Sequence, residues 1–139
     1  MAKSWSYRLF GVGRIPEPNA TALKNEGIIL QDEGIRGSVT YRNFRGPGRI
    51  SNWKRQWYTA SIVLTEVRLL GLRCYDTIID VPLTDQRLRR MKFSVERDDI
   101  LLVAFDAALF HNDWSGTLEY RFRTPHAHDF VKMLRDRTV

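Results

Sequence analysis

Apolar and polar residues alternate with a period of two through most of this chain. Val39 and Tyr41 alternate with Thr40 and Arg42, and Trp53, Arg55 and Trp57 with Lys54, Gln56 and Tyr58. That second run continues through Ile62-Val-Leu64. Arg68–Tyr75 and Thr77–Val81 are further apolar runs, the latter stopped by Pro82. Met91, Phe93 and Val95 alternate with Lys92, Ser94 and Glu96. Asp98-Asp99 marks a tight turn before Ile100–Phe105, which is apolar on both faces and hence central. Leu118, Tyr120 and Phe122 alternate with Glu119, Arg121 and Arg123. A period of two places alternate side chains on opposite faces of a strand, and the short spacings favour hairpins over crossover helices.

The ends break this rhythm. Residues 1–18 read as an arm that closes on Ile15-Pro-Glu-Pro, and 19–26 as a short helix capped by Asn19 and stopped at Gly27. Near the C-terminus, Thr124-Pro125 reads as an N-cap and first helical residue. Phe130, Val131 and Leu134 then recur at helical spacing, with Lys132, Arg135 and Arg137 where cations suit the helix dipole. The expected fold is mainly β: about seven antiparallel strands forming a barrel, with one C-terminal helix plugging an open end. Phe105, Leu118, Tyr120, Phe122 and Trp57 are expected in its core. The division expected is an arm over 1–26 and one domain over 27–139.

Charge adds a second pattern. Between Ile35 and Thr65 there is no Asp or Glu, while Arg36, Arg42, Arg45, Arg49, Lys54 and Arg55 all fall there, matching the formal net charge of +6. Tyr41, Phe44, Trp53, Trp57 and Tyr58 lie among them. Glycines at 46 and 48 flank Pro47 in an expected loop, Arg42–Asn52, where outward amides and forked guanidinium groups suit an anion. The candidate anion-binding residues are Arg42, Arg45, Arg49, Lys54 and Arg55. Arg87-Leu-Arg-Arg-Met-Lys92 is a second basic cluster, read as a solvated edge or turn.

Other chemistry is sparse. Cys74 is the single cysteine, lies in an apolar run and reads as a buried structural thiol, in keeping with a reducing compartment. His111, His126 and His128 lie near Asp106, Asp113 and Asp129. His126 and His128, two apart at a helix start, diverge, so no metal site is expected. No nucleophile elbow, phosphate-cradling loop or HExxH occurs, and Phe10-Gly-Val-Gly-Arg14 lacks the third glycine of a dinucleotide motif. A non-catalytic protein without cofactor is expected. No apolar run approaches a membrane span, and the N-terminus has no apolar signal core, so the expectation is cytoplasmic, with any membrane contact peripheral.

The order of elements is similar to that of a pleckstrin-homology (PH) domain. Gly37-Ser-Val-Thr-Tyr41 resembles its first strand, and Trp53-Lys-Arg-Gln-Trp-Tyr58 its second. Leu64-Thr-Glu-Val-Arg-Leu-Leu70 resembles the Leu-Thr-x-x-Arg-Leu signature of GRAM and bacterial PH-like domains, and Ile79-Asp-Val-Pro-Leu83 stands at the fourth strand. The match covers roughly residues 27–137. The resemblance implies a recognition module holding an anionic lipid headgroup or an acidic protein with the first two strands and their loop. Basic residues two apart on the second strand are wanted for phosphoinositides, and Trp57 stands two places after Arg55. Two other readings compete. The apolar arm, with Leu109, Phe110 and Trp114 in a presumed loop, points to protein interaction or homo-oligomerisation. Interleaved arginines and aromatics suit nucleic acid, ranked lower because alternation was expected to bury half of those rings.

Overall fold

A computed structural model describes Ile15 and residues 19–137. The expected arm, with its aromatic residues and its glycine motif, otherwise lies outside the described residues. The order is α1 (Asn19–Glu26), β1 (Ile28–Gly46), β2 (Arg49–Thr65), β3 (Arg68–Arg73), β4 (Asp76–Pro82), β5 (Lys92–Glu96), β6 (Ile100–Asp106), β7 (Ser115–Arg123) and α2 (Ala127–Arg137). All seven strands are antiparallel in one sheet of order β4-β3-β2-β1-β7-β6-β5. The mainly β fold with a C-terminal helix is therefore as expected, but the sheet is not closed into a barrel. Its edges β4 and β5 are joined by a 3₁₀ turn, Gln86–Arg90, that buries Leu88 instead of adding ladder hydrogen bonds. The sheet still curls strongly. A Cβ added to Gly71 of β3 would lie 3.3 Å from the Phe122 ring of β7.

Parity decides the two faces. Val39 and Tyr41 of β1, Ala60, Ile62 and Leu64 of β2, and Leu118, Tyr120 and Phe122 of β7 share one core. The apolar stripe of α2, Phe130, Val131 and Leu134, packs into it alongside β5 and β6. With no closed barrel to plug, α2 packs beside β5 and β6 at the edge of the sheet. The helix begins at Ala127, two residues later than expected, and Thr124 Oγ1 accepts from the His126 N–H at 3.2 Å. On the opposite face α1 sets Leu23 against Val63, Leu70 and Leu72, with Ile15 beside them.

Trp57 is the misplaced core residue. It is 70% exposed, and Trp53 is 55% exposed. Ala60, Ile62 and Leu64 claim the inner face, so Trp57, Arg55 and Trp53 face out, and a one-residue slip would expel all three. Tyr58 takes the inner position instead. Its partner in register is Gly37, where a Cβ would come within 2.9 Å of the Tyr58 ring and 2.6 Å of the Ala60 Cβ.

The expected loop Arg42–Asn52 is also shorter than anticipated. β1 and β2 continue to Gly46 and Arg49, leaving only Pro47-Gly48 as a turn with Gly48 at φ 72. Proline ahead of a positive-φ glycine is type II turn chemistry. Below the turn β1 carries a bulge. Asn43 adopts φ 50, and the register with β7 shifts between Arg42 and Arg45. Gly116 of β7 sits against it at φ 96, its missing Cβ within 2.4 Å of the Asn43 carbonyl oxygen. Cys74 also departs from expectation, being half-buried at φ 54 in the β3–β4 turn. Beyond this, β3 pairs with β2 only from Ala60 to Leu64. The Ile50–Tyr58 stretch of β2 therefore has no strand beside it on that side among the described residues.

Gly116→Ala should destabilise the protein by about 3 kcal/mol, since both the positive φ and a collision with backbone oppose the methyl group. Gly48→Ala, with open space around it, should cost only about 1 kcal/mol. Urea unfolding midpoints of the two variants check this, and equal losses would contradict the bulge packing.

Candidate functional site

The inner face of the sheet is not filled at the end where the β1–β2 turn, the β3–β4 turn and residues 107–114 meet. A cavity of about 430 Å³ opens there, within the range of small-ligand sites. Its walls are aromatic. Phe105 stacks on Tyr120 with centroids 5.8 Å apart and meets Phe110 edge-on at 5.2 Å, while His111 stacks on Trp114 at 3.6 Å. Trp114 in turn packs edge-on against Phe44 at 5.3 Å. Leu109, Phe110 and Trp114 are thus half-buried against the core and do not form the exposed loop patch expected of them.

Two arginines enter this cavity from opposite sides. Arg49 lies over the Tyr41 ring at 5.3 Å and the Phe44 ring at 5.9 Å. Arg73 lies 5.9 Å from the Tyr58 centroid, and its carboxylate partner, the exposed Asp76, is at 4.0 Å. The carboxylate lining the cavity, Asp80, is bound by Arg68 at 3.1 Å. Tyr58, Tyr120 and Tyr41 bring phenol groups into this neighbourhood. The Tyr58 hydroxyl is buried without a hydrogen-bond partner. Burial, followed by the Tyr120 phenol, pushes the Tyr58 pKa well up, against the opposing pull of Arg73. Burial likewise pushes Tyr120 up to about 12. The arrangement is a recess with cations at its wall and aromatic rings around it, and the Tyr58 hydroxyl is buried outside its lining.

The five predicted anion residues are divided between the two faces of the sheet. Arg49 joins the recess, and Lys54, exposed, stands opposite Tyr41 in register and so on the same face. Arg45 is exposed beside the turn, paired with Ile50. Arg42 and Arg55 belong to the outer face. Arg42 binds Glu119 at 2.9 Å, and Arg55 Nε donates to Thr40 Oγ1 at 2.8 Å. Arg121 donates to the same oxygen at 3.3 Å and to Glu96 at 2.8 Å, which holds the Glu96 carboxyl below its ordinary range.

Sequence reasoning missed Arg73, Tyr58, Tyr120, His111 and Trp114, which only tertiary curling brings to Arg49. The second basic cluster forms the 3₁₀ turn, where Arg87 binds Asp85 at 2.6 Å and covers the Phe110 ring at 4.5 Å. His126 and His128 pair with Asp129 and Asp98 at 3.9 and 3.3 Å, and among the described residues no three such side chains form a metal-holding group. No family model matches the chain, and no curated protein matches it.

Tyr58→Phe removes a buried hydroxyl that has no partner, so stability at neutral pH should be unchanged or rise by up to about 1 kcal/mol. Raised phenol pKa values mean that the folded state holds its protons longer. Their stability is fully present below the ordinary tyrosine value of 10.0 and is lost as pH rises towards 12. Urea midpoints measured across that window should fall less steeply in Tyr58→Phe than in the parent.

Proposed function

We propose that this chain is a non-catalytic binding module of PH-like, GRAM-like kind, which holds the anionic end of a lipid headgroup in the recess between Arg49 and Arg73. The observation that carries the reading is the recess itself: two arginines with little carboxylate compensation at the wall of a cavity of about 430 Å³. Forked guanidinium donors suit the oxygens of a phosphate or carboxylate. The order of seven antiparallel strands followed by a helix supports the PH-like assignment.

The rim favours a lipid over an acidic protein. Ile50, 70% exposed beside Arg49, and Tyr75, exposed two residues after Arg73, stand at the two turns flanking the recess. Apolar and aromatic side chains interleaved with cations suit an anionic membrane interface. No helix among the described residues is long and apolar enough to cross a membrane, so the contact proposed is peripheral.

The test is co-sedimentation with phosphatidylcholine vesicles, with and without phosphatidylserine, at about 100 mM salt. The protein should pellet only with the anionic vesicles. Arg49→Glu combined with Arg73→Glu should weaken that binding by about tenfold or more, with Ile50→Ala intermediate. Circular dichroism controls for folding. Equal binding to neutral vesicles, or an unchanged affinity in the charge-reversed variant, would remove the headgroup reading. Binding of a polyglutamate peptide with the same arginine dependence, and no vesicle binding, would transfer the recess to an acidic protein.

A further inference from the structure

The outer face of the central strands carries chemistry that the recess does not use. A groove of about 650 Å³ runs across β1 and β7, between β2 and the β5–β6 turn. Five arginines line it against two carboxylates, Glu96 and Asp99. Arg121 and Arg123 are held by those carboxylates at 2.8 and 3.2 Å. Arg36, Arg55 and Arg97 make no salt bridge among the described residues, although the charges of Arg55 and Arg97 reach Glu96. In the floor, Ser38 is fully buried and its Oγ has no hydrogen-bond partner, although it stands opposite Trp57 on one side and Arg121 on the other.

The aromatic wall has a regular spacing. Trp53, Arg55 and Trp57 project from one face of β2, with the guanidinium 5.4 Å from one indole and 5.8 Å from the other. The shared guanidinium keeps the two ring centroids within about 11 Å of each other. Each indole offers a largely exposed surface, more than half of Trp53 and 70% of Trp57. Burying two tryptophans in the core would stabilise the protein more than displaying them. Their position outside leaves a stacking platform with a cation at its centre. Carboxylate side chains gain little from indole faces, whereas a nucleobase gains from both the ring and the guanidinium.

We propose that this face binds single-stranded nucleic acid, with bases stacked on Trp53 and Trp57 and phosphates held by Arg36, Arg55 and Arg97. The site is separate from the recess, lies on the opposite side of the sheet and does not depend on the headgroup reading. Contact is to ring faces and backbone charge, so recognition is of single strands with little sequence preference. The strand lies across a polar surface in which the Ser38 hydroxyl is the one unsatisfied buried side-chain donor of the groove floor.

Fluorescence anisotropy of a labelled oligo(dT) of about twelve nucleotides tests this. Binding should be measurable at about 50 mM salt and weaken roughly twentyfold by about 200 mM, as neutralisation of three phosphates requires. Trp53→Ala and Trp57→Ala should each weaken it by about tenfold, and Arg36→Gln by less, while the duplex of the same sequence binds more weakly. Arg73→Gln, on the far side of the sheet, should leave oligo(dT) affinity unchanged, which separates this site from the recess. A flat titration at about 50 mM salt overturns the proposal. So does equal affinity in the folded Trp53→Ala/Trp57→Ala double variant. Tighter, tryptophan-dependent binding of a labelled polyglutamate peptide assigns the face to an acidic protein and overturns it as well.

Discussion

The close approach of Gly37 to Tyr58 and Ala60 fixes which way β2 faces, and most of the molecule follows from it. With no side chain at 37, the Tyr58 ring lies across the backbone of β1, and Ala60 fits beneath it. Ala60, Ile62 and Leu64 then continue inward to meet the rest of the core. Strand alternation leaves no freedom after that: Trp53, Arg55 and Trp57 must face out, and Tyr58 must face in. One contact between three small or flat groups thus supplies both the platform outside and the buried phenol inside.

A second constraint acts further along β1. Without the bulge at Asn43, Tyr41 and Phe44 would point to opposite faces, because they are three residues apart. The left-handed residue restores Phe44 to the interior, where it meets Tyr41 at 5.0 Å and Trp114 at 5.3 Å. The cost falls on β7, where only glycine fits at 116. The bulge also lets the hairpin end bring Arg49 over Tyr41, so the recess gains a cation that a regular ladder would have left on the far side.

Strands were legible wherever one face was plainly apolar. Leu118, Tyr120 and Phe122 of β7 are buried as their alternation predicts, and α1 stops at Gly27, which holds φ 86. Trp53-Lys-Arg-Gln-Trp-Tyr58 was harder, because both of its faces carry rings and either parity satisfies a period of two. Of the small residues that decide it, Gly37 is distant in sequence, and Ala60, two places after Tyr58, looks unremarkable alone. The acid-free segment falls on the β1–β2 hairpin, but charge counts carry no information about faces. Arg49 and Arg55 therefore looked like members of one group although they serve opposite sides. Barrel closure was overread for a related reason: alternation predicts strands, and whether the last edges pair depends on a connection, residues 83–91, whose turn inserts Leu88 inward.

The unaccompanied stretch of β2 from Ile50 to Tyr58 has a further consequence for how the protein behaves in concentrated solution. Its backbone donors and acceptors face outward beside bulky indoles, a profile that invites a second strand to add on. Lys54 and Arg55 lie in the middle of that stretch and are both positive. Two copies meeting there would bring like charges into register, so the cations act as a barrier to self-assembly. A polyanion bound across Lys54 and Arg55 would lower that barrier, so charge neutralisation and edge pairing would be coupled on this face.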